Sequence, residues 1–514
     1  MKSEVVMFQI KEIFSALYPI SPILWVALGG VACLLLAAKE KKTEEEYRNS
    51  WPHMVVALFF TFIAVCALPA FLDQSKALLP ESISSLFTFD ELSFAGSSLI
   101  LLIALLAILT GASYMSKQAI VRGEYFALIL FSSAGMMMLI SAVEILTFFI
   151  ALEVMSLAIY VLVGFKRADR FSQEAALKYF ISGAFASAIF FFGAGLVYGA
   201  TGTTEIGKMI PKIAIMSKSG MPALFITGAT LCLCSFLFKM AAVPFHMWAP
   251  DAYQGAPTVV TAFMAAGVKV SAFLAFYRFG GLHLTVGLFA SIPHLIKIIE
   301  IVAIITMIIG NLMAVLQTHL KRMLAYSSIA NAGYLLVGLI AVLEGDLAAL
   351  KNIIFFLIIY SLSTFGIFSI IAFLERENAR MDEQRIQNYS GYGFQYPLLG
   401  LLCALFMFAL AGIPPTAGFM GKLMLLTPVL QKGHYVLVLT AVLTSVVSVY
   451  YYLSVVVAFF MQPKKEYQTT NNIISTAFNA SQAPLYIALV ICAYMLIHAG
   501  VLPENLLRQI MVLH

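Results

Sequence analysis

The chain has 514 residues, of which 61% are hydrophobic and 11% are charged, and its mean hydropathy is +0.94. Ordinary soluble domains carry about 25% charged residues, so this composition excludes a soluble globular protein and indicates a polytopic membrane protein. The formal net charge of +5 is scattered along the chain, and no basic patch for nucleic acid is predicted.

An all-α fold with about fourteen transmembrane helices is predicted, because a helix needs about 20 apolar residues to cross a membrane. The predicted helices are 20–38, 53–72, 92–114, 124–141, 143–163, 174–199, 222–243, 257–279, 297–316, 324–342, 347–374, 396–430, 436–461 and 483–502. Residues 1–19 lack a cleavage pattern, so we expect the first helix to be retained. Two helices are expected to be broken, the seventh at Pro244 and the twelfth at Pro414 and Pro415, because proline lacks a backbone donor.

The basic residues indicate an orientation. If each loop is numbered by the helix it follows, the odd loops hold sixteen Lys and Arg, and the even loops and both ends hold eleven. The positive-inside rule then predicts odd loops in the cytoplasm and both ends outside. The lysines of the loop 201–221 oppose this assignment.

A faint internal repeat is present. YVLVG at 160–164 recurs as YLLVG at 334–338, 174 residues later, and Pro244 and Pro414 are 170 residues apart. Five helices separate the copies, so the second is inverted, as in transporters with a site near the bilayer midplane. We predict three N-terminal helices over 1–123, two inverted five-helix repeats (helices 4–8 over 124–279, helices 9–13 over 280–461) and a last helix within 462–514.

Ionisable residues inside predicted helices are the functional candidates, because burying a charge in a membrane is costly. Glu153, Lys239, Lys269 and Lys422 are predicted to form a proton relay. Lys239 lies near a helix end and also fits a snorkelling lysine, whereas Lys269 has about a dozen mostly apolar residues on either side.

Accessory candidates lie at helix ends and breaks. Glu144 fits a solvated carboxylate at a helix end, and Asp251 fits a helix cap or a functional group. His246 fits a proton relay in a wet break or a loop histidine bonded to local backbone. His319, with Lys321 and Arg322, fits a solvated cluster on a loop. Polar residues that line a hydrated path or join helices are the following: Asn311, Ser361, Ser363 and Thr364.

Enzyme and metal motifs are absent from the sequence. There is no Walker A motif, no GxGxxG after a strand, no HExxH and no CxxCH. The six cysteines include no CxxC pair, so small buried side chains are expected rather than a zinc site or an iron–sulfur cluster. We therefore expect no nucleotide, metal or redox group in this chain.

Three stretches carry a resemblance to a known family: KMAAVPFHMWAPDAYQGAPT at 239–258, KRMLAYSSI at 321–329 and LAGIPPTAGFMGK at 410–422. They resemble the antiporter-like membrane subunits of respiratory complex I, and the similarity runs from about 90 to 460. Among these subunits the chain looks most like the subunit N type. The reasons are that position 422 is a lysine rather than a glutamate, and that the chain ends soon after the fourteenth helix.

The resemblance implies a role for each relay residue. Glu153 would pair with Lys239 and control its proton, Lys269 would pass protons along the membrane plane, and Lys422 would face the exit. The family often has aspartate where this chain has Glu144, which leaves the role of Glu144 open. Position 327, the repeat counterpart of Glu153, is a serine.

The resemblance also implies a function and partners. The chain would be a non-redox, proton-translocating subunit of NADH–quinone oxidoreductase, driven by quinone reduction elsewhere in the complex. Flavin, iron–sulfur clusters and quinone would belong to partner subunits, and other membrane subunits, the lipid bilayer and, indirectly, the hydrophilic redox arm would be its partners. The expected location is the bacterial inner membrane, or a thylakoid membrane. Two alternatives stay open: a subunit of a multisubunit (Mrp-type) cation/proton antiporter, and a structural scaffold.

Overall fold

The structure is a computed structural model of the 514-residue chain. It describes residues 17–39, 50–72, 81–117, 123–281, 292–377, 385–461 and 482–510. Most of the N-terminal stretch 1–19 and several loop lysines and arginines used to predict the orientation lie outside the described residues.

The predicted all-α membrane fold is confirmed. Among the described residues, twelve helices are long and apolar enough to cross a membrane, and two shorter apolar helices are the first halves of the broken ones. We number the membrane helices as follows: α1 Ser21–Lys39, α2 Trp51–Ala67, α3 Glu91–Lys117, α4 Glu124–Ser141, α5 Ile145–Val163, α6 Arg170–Thr201, α7a Ala223–Lys239, α7b Trp248–Gly255, α8 (Thr258–Phe263, Met264–Val268 and Lys269–Gly281 in succession), α9 Pro293–Val315, α10 Leu320–Leu343, α11 Ala348–Glu377, α12a Pro397–Ala411, α12b Ala417–Gln431, α13 Tyr435–Met461 and α14 Ala483–Val501.

Most predicted helix bounds agree with the structure to within four residues, and the largest difference is the gap that divides the twelfth helix. The helix α6 starts four residues early because the Asp169 side chain caps it, accepting a hydrogen bond from Phe171 N at 2.9 Å. It ends at Gly202, whose φ of 66° an L side chain rarely adopts. Two further helices, Ile206–Ser219 and Pro503–Ile510, follow membrane helices α6 and α14.

The centre of the bundle consists of α8, α10 and α11. Almost every residue of these three helices is buried, whereas α1, α6 and α13 expose many large apolar side chains. A helix that is apolar on all sides is stable only inside a bundle or in lipid, and these three lie inside. Lys269 and the residues that contact it therefore lie in the protein interior.

Polar contacts join helix ends at both ends of the bundle. We call the end that carries the odd-numbered loops the odd face and the other end the even face. At the even face the fully buried Arg278 side chain pairs with Asp90 at 2.7 Å and donates to Ser93 Oγ at 3.0 Å. The same guanidinium donates to the carbonyl oxygen of Ile140. Burial opposes ionisation of Asp90, but Arg278 and Ser93 outweigh it and lower the pKa of this carboxyl. This contact joins α3, α4 and α8.

Four of the six cysteines agree with the expectation of small buried side chains, whereas Cys66 is exposed and Cys234 is half-buried. Cys33, Cys232, Cys403 and Cys492 are buried, and all six are free thiols. The described residues contain no group of three or more His, Cys, Asp or Glu side chains placed to hold a metal ion.

Candidate functional site: three buried lysines

The two broken helices have matching breaks. The helix α7a ends at Lys239 and is followed by Ala241 with a φ of 57°, and α12a ends at Ala411 and is followed by Gly412 with a φ of 78°. The positions 241 and 412 are 171 residues apart. A reversal of backbone hand just after a helix ends it in the manner of a Schellman motif.

The hydrogen bonds of the two breaks match at the same spacing. Ala242 N donates to the carbonyl oxygen of Leu237 at 2.9 Å, and Ile413 N donates to that of Phe408 at 3.1 Å. The counterpart of Pro244 in this alignment is Pro415, one residue after the proline that the sequence comparison paired with it. The Val243–Pro244 and Pro414–Pro415 bonds are both cis. Both expected helix breaks are confirmed.

Lys239 lies at the first break, with 3% of its surface exposed. Its ammonium donates to Ser156 Oγ at 2.8 Å and to the Tyr160 hydroxyl at 3.3 Å, both on α5. Its Nζ also lies 5.6 Å from the centre of the Tyr160 ring, a cation–π distance. The lysine is therefore held inside the bundle, and the snorkelling alternative does not describe it.

The expected ion pair between Lys239 and Glu153 is not formed in this structure. The Lys239 ammonium donates to Ser156 and Tyr160, and Glu153 Oε1 is buried without a hydrogen-bond partner in the described part of the chain. Ser156, one turn further along α5, takes the ammonium instead.

Lys269 lies at the centre of the molecule, with 4% of its surface exposed. It directly follows the π turn Met264–Val268 in α8, a local widening of the helix that is frequent at functional sites. Its ammonium donates to Ser328 Oγ at 2.7 Å and to the Ser328 carbonyl oxygen, both on α10. It also lies 4.7 Å from the centre of the Tyr360 ring.

The Ser328 hydroxyl is a junction of polar groups around Lys269. Tyr360 donates to it at 2.8 Å, and the Tyr253 hydroxyl lies 3.1 Å away. Four membrane helices therefore meet at this ammonium: α7b, α8, α10 and α11. A cavity of about 10 Å³, room for one water molecule, lies beside the two tyrosines and Ser327.

Lys422 lies in α12b, after the second break, with 7% of its surface exposed. Its ammonium donates to the carbonyl oxygen of Ala411 at 2.8 Å and to Ser445 Oγ at 3.0 Å. The Tyr334 ring lies 4.9 Å from Lys422 Nζ, and the Tyr334 hydroxyl lies 3.2 Å from Thr444 Oγ1. The YxLVG repeat thus places one tyrosine, Tyr160 or Tyr334, against the lysine of each broken helix.

Buried polar groups join α10 and α13, the helices that carry Ser328 beside Lys269 and Ser445 beside Lys422. Ser327, next to Ser328, is hydrogen-bonded to the Tyr452 hydroxyl, and the neighbouring Tyr451 donates to Asn311 Oδ1 at 3.0 Å. The expectation that Asn311 joins helices agrees with this contact. Ser363 bonds the carbonyl oxygen of its own helix at Ile359, and Thr364 lines the cavity. Sequence reasoning missed Ser328, Tyr360, Tyr451 and Tyr452, because nothing local marks a hydroxyl as the partner of a distant lysine.

Glu144 is a buried helix cap. Its carboxylate accepts hydrogen bonds from Thr147 N at 2.7 Å and Thr147 Oγ1 at 2.8 Å, and the residue is 5% exposed. The interpretation as a solvated carboxylate is therefore wrong. The Thr147 N–H is one of the groups that the start of α5 leaves free, and it satisfies this buried carboxyl group.

Asp251 and His246 belong to the first broken helix. Asp251 pairs with Arg322 at 2.7 Å and with Lys178 at 3.0 Å, so it fastens α7b to α6 and α10 instead of capping a helix. His246 lies half-buried in the break, and its Nδ1 atom is buried without a hydrogen-bond partner within the described chain. A role for His246 in proton transfer stays a prediction.

The cluster at His319 is less exposed than expected. Lys321 is 2% exposed, its ammonium donates to the carbonyl oxygen of Ala256 at 3.0 Å, and Glu375 lies 3.9 Å away. The solvated interpretation is therefore wrong for Lys321. Burial, Lys321, Arg322 and Arg385 lower the pKa of His319 to about 4, so this side chain is neutral near pH 7.

Two broken helices with matching breaks, each next to a buried amine, are the pattern of membrane transporters whose site lies near the bilayer midplane. The family model described as NADH:quinone oxidoreductase/Mrp antiporter, transmembrane, matches residues 142–448, and the chain belongs to this family. The chain is 39% identical over 427 residues to NADH-quinone oxidoreductase subunit N of Trichlorobacter lovleyi, covering 83% of this chain and 84% of the relative. It is 41% identical to the subunit N of Myxococcus xanthus, covering 67% and 70%. The resemblance to subunit N is confirmed.

Solved structures agree with this family. A chain of respiratory complex I from Thermus thermophilus superposes with a TM-score of 0.74 at 30% identity, covering 95% of this chain and 98% of that one. A chain of the Mrp complex from a Dietzia species superposes with a TM-score of 0.76 at 22% identity, covering 95% of each. At 22% identity the second likeness shows the fold alone.

Proposed function

We propose that this chain is the proton-translocating subunit N of an NADH–quinone oxidoreductase in a bacterial inner membrane. The observation that carries the proposal is the set of three buried ammonium groups, Lys239, Lys269 and Lys422, each held by hydroxyl or carbonyl oxygens and an aromatic ring. An ionised lysine at the centre of a membrane helix costs about 3 kcal/mol on insertion scales. Helix packing alone does not require three buried lysines at this cost, so we assign them a function in proton transfer.

Each lysine has a defined task in this proposal. Lys239 holds a proton between the Ser156 and Tyr160 oxygens, in the field of Glu153. After Lys269 has passed its own proton towards Lys422, a change in that field, caused by quinone reduction elsewhere in the complex, sends the proton of Lys239 to the amine of Lys269. The hydroxyls of α10 and α13 then carry it towards Lys422, the exit group, and the Asn311 amide of α9 orients the Tyr451 hydroxyl.

Redox chemistry is assigned to partner subunits. The fold supplies side chains that bind and release protons, and the proposal places the flavin, the iron–sulfur clusters and the quinone in other chains. The large apolar side chains exposed on α6 and α13 fit contact with lipid and with neighbouring membrane subunits.

The subunit of an Mrp-type antiporter is the second candidate. Its support is the shared fold, whereas relatives at 39–41% identity carry the name of subunit N. If the chain were a structural scaffold, the third candidate, the lysines would serve helix packing only. Copurification with flavin and iron–sulfur subunits supports the first proposal, and copurification with the other subunits of an Mrp-type antiporter contradicts it.

The function is tested with Lys269→Ala in the assembled complex, in sealed membrane vesicles. We expect fewer protons moved per electron pair while electron transfer continues, because the central amine is missing. Thr427→Ala is the matched control, since the Thr427 hydroxyl bonds only its own helix at the Leu423 carbonyl. Normal pumping by Lys269→Ala would contradict the proposal and favour the scaffold.

A further inference from the structure

A buried carboxylate outside the lysine relay lies at the odd face. Glu375, near the end of α11, has a side chain that is only 6% exposed. Thr258 Oγ1 lies 2.8 and 2.7 Å from its two oxygens, and the Tyr114 hydroxyl donates to it at 2.9 Å. Lys321 Nζ lies 3.9 Å away and is itself buried. A carboxylate and an amine buried together need a reason, because removing both from water costs several kcal/mol.

The cluster joins the odd-face ends of four helices. Tyr114 lies at the end of α3, Thr258 at the start of α8, Lys321 at the start of α10 and Glu375 at the end of α11. Lys166 adds a positive charge 5.8 Å from the Tyr114 ring centre. Two of the four helices, α8 and α10, also carry Lys269 and its partner Ser328.

The helix geometry connects this cluster with Lys269. Lys321, Leu324 and Ser328 lie at positions i, i+3 and i+7 of α10, on one helix face, and span about 10 Å along the axis. On α11, Thr364 and Glu375 are eleven residues apart, which is three turns and therefore also one face. Both rows run from the Glu375–Lys321 pair to the hydroxyl groups around Lys269.

The one-water cavity lies between the two rows. Its lining includes Leu324 and Ser327 of α10, Thr364 and Phe368 of α11, and Tyr253 of α7b. Of its lining residues, Leu324 follows Lys321 by one helical turn, and Tyr253 and Tyr360 hydrogen-bond to Ser328. A single water molecule there would hydrogen-bond to hydroxyl groups on three helices.

We propose that Glu375 is the group through which protons enter from the odd face on the way to Lys269, with Lys321 as its counter-charge. This rests on the proposed function. At the stage when Lys239 keeps its own proton and Lys269 is neutral, water at the odd face gives a proton to the carboxylate, and the resulting carboxylic acid gives it up through the cavity and the Ser328 hydroxyl to the amine of Lys269. The carboxylate is restored, the ammonium of Lys269 is formed, and Lys321 stays charged throughout.

The experiment measures protons moved per electron pair by the assembled complex in sealed vesicles whose odd face is outermost. Glu375→Gln keeps the shape and accepts the Thr258 and Tyr114 hydrogen bonds, but it cannot carry a proton. We expect its pumping to fall to the level of Lys269→Ala while the amount of complex and the rate of electron transfer are kept. Glu375→Asp should restore part of the loss. Glu504→Gln, at an 83% exposed carboxylate, is the control and should pump normally.

The outcomes distinguish a failure of this inference from a failure of the proposed function. Normal pumping by Lys269→Ala contradicts the proposed function. Loss in Lys269→Ala with normal pumping in Glu375→Gln overturns this inference alone and leaves Glu375 as a tie between helices. If the complex with Glu375→Gln does not assemble, Thr258→Val is used instead, because it keeps the Glu375 carboxylate and removes one hydrogen-bond donor to it. Pumping by Thr258→Val is then measured while the pH of the solution at the odd face is varied. The pH of half-maximal pumping should differ from that of the unchanged complex, and an unchanged pH profile overturns the inference.

Discussion

Lys422 donates a hydrogen bond to the carbonyl oxygen of Ala411 across the break of its own helix, over 2.8 Å. The acceptor is the last carbonyl of α12a, one of the groups that a helix end leaves unpaired. The ammonium that is proposed as the exit group of the relay therefore also completes the helix end. Its position depends on the backbone of the break.

Gly412→Ala should disturb both functions of that contact. A Cβ there would lie 2.9 Å from Lys422 Cδ, and the φ of 78° costs an L residue about 1–2 kcal/mol. We expect a lower thermal stability of the purified complex and fewer protons moved per electron pair. Gly433→Ala is the matched control, because its φ is 88° but a Cβ there meets no atom within 4 Å. Equal pumping by the two variants would show that the position of Lys422 is not critical.

Ser156→Ala should weaken the binding of the Lys239 ammonium. A hydrogen bond to a charged group contributes about 1.5–3 kcal/mol, and Ser156 provides the shorter of its two hydroxyl contacts. With Lys239 present, we expect Ser156→Ala to lower the free energy of unfolding by about this amount. In a Lys239→Met background the decrease should be much smaller. The two decreases are compared as a double-mutant cycle by thermal denaturation. Ser182→Ala, whose hydroxyl bonds only the carbonyls of its own helix, should show no coupling with Lys239. Strong coupling of Lys239 to Glu153 but not to Ser156 would contradict the geometry.

Ser328→Ala should slow proton movement through the centre of the molecule. The change removes the hydroxyl that contacts Lys269, Tyr253 and Tyr360, while the backbone carbonyl still binds the ammonium. We therefore expect an assembled complex with reduced pumping at retained electron transfer, measured in sealed vesicles. Ser363→Ala removes a buried hydroxyl that bonds its own helix, and it should pump as the unchanged chain does. If both variants behave alike, the Ser328 hydroxyl has no part in the path.

His319→Gln should change the acid stability of the complex. The folded chain holds the pKa of His319 near 4, against about 6.5 when unfolded, so between these values the unfolded state binds a proton that the folded state does not. Its contribution to stability is present above about pH 6.5 and is lost as the pH falls towards 4. The unchanged complex should lose thermal stability more steeply than His319→Gln over that range, and the two curves should run parallel above pH 7. Parallel curves throughout would mean that His319 is solvated.

The architecture of this chain could be predicted because its signals are local. Apolar runs of about 20 residues locate the helices, and prolines beside Lys239 and before Lys422 locate the breaks. The burial of Lys269 follows from the length of apolar sequence on either side. These features depend on the membrane as a solvent, and each can be recognised within about 25 consecutive residues.

The partners of the charged groups could not be predicted in this way. Lys239 binds a residue 83 positions away, and Lys269 binds one 59 positions away. Glu375 looks like an ordinary charged residue at a helix end until α3, α8 and α10 close around it. Glu144 also lies near a helix end, and only the packing of the bundle removes it from water.

By itself, the sequence determined the class of protein and the two broken helices and singled out the four ionisable residues proposed as the relay, because the cost of burying charge and the missing N–H of proline act wherever those residues lie. Only the tertiary structure decided that Ser156 rather than Glu153 binds Lys239, that Ser328 binds Lys269, and that Glu375 and Lys321 are buried as a pair. The reason is that an ammonium binds whichever oxygen the packing of helices places within about 3 Å, and that distance is set by residues far apart in the chain.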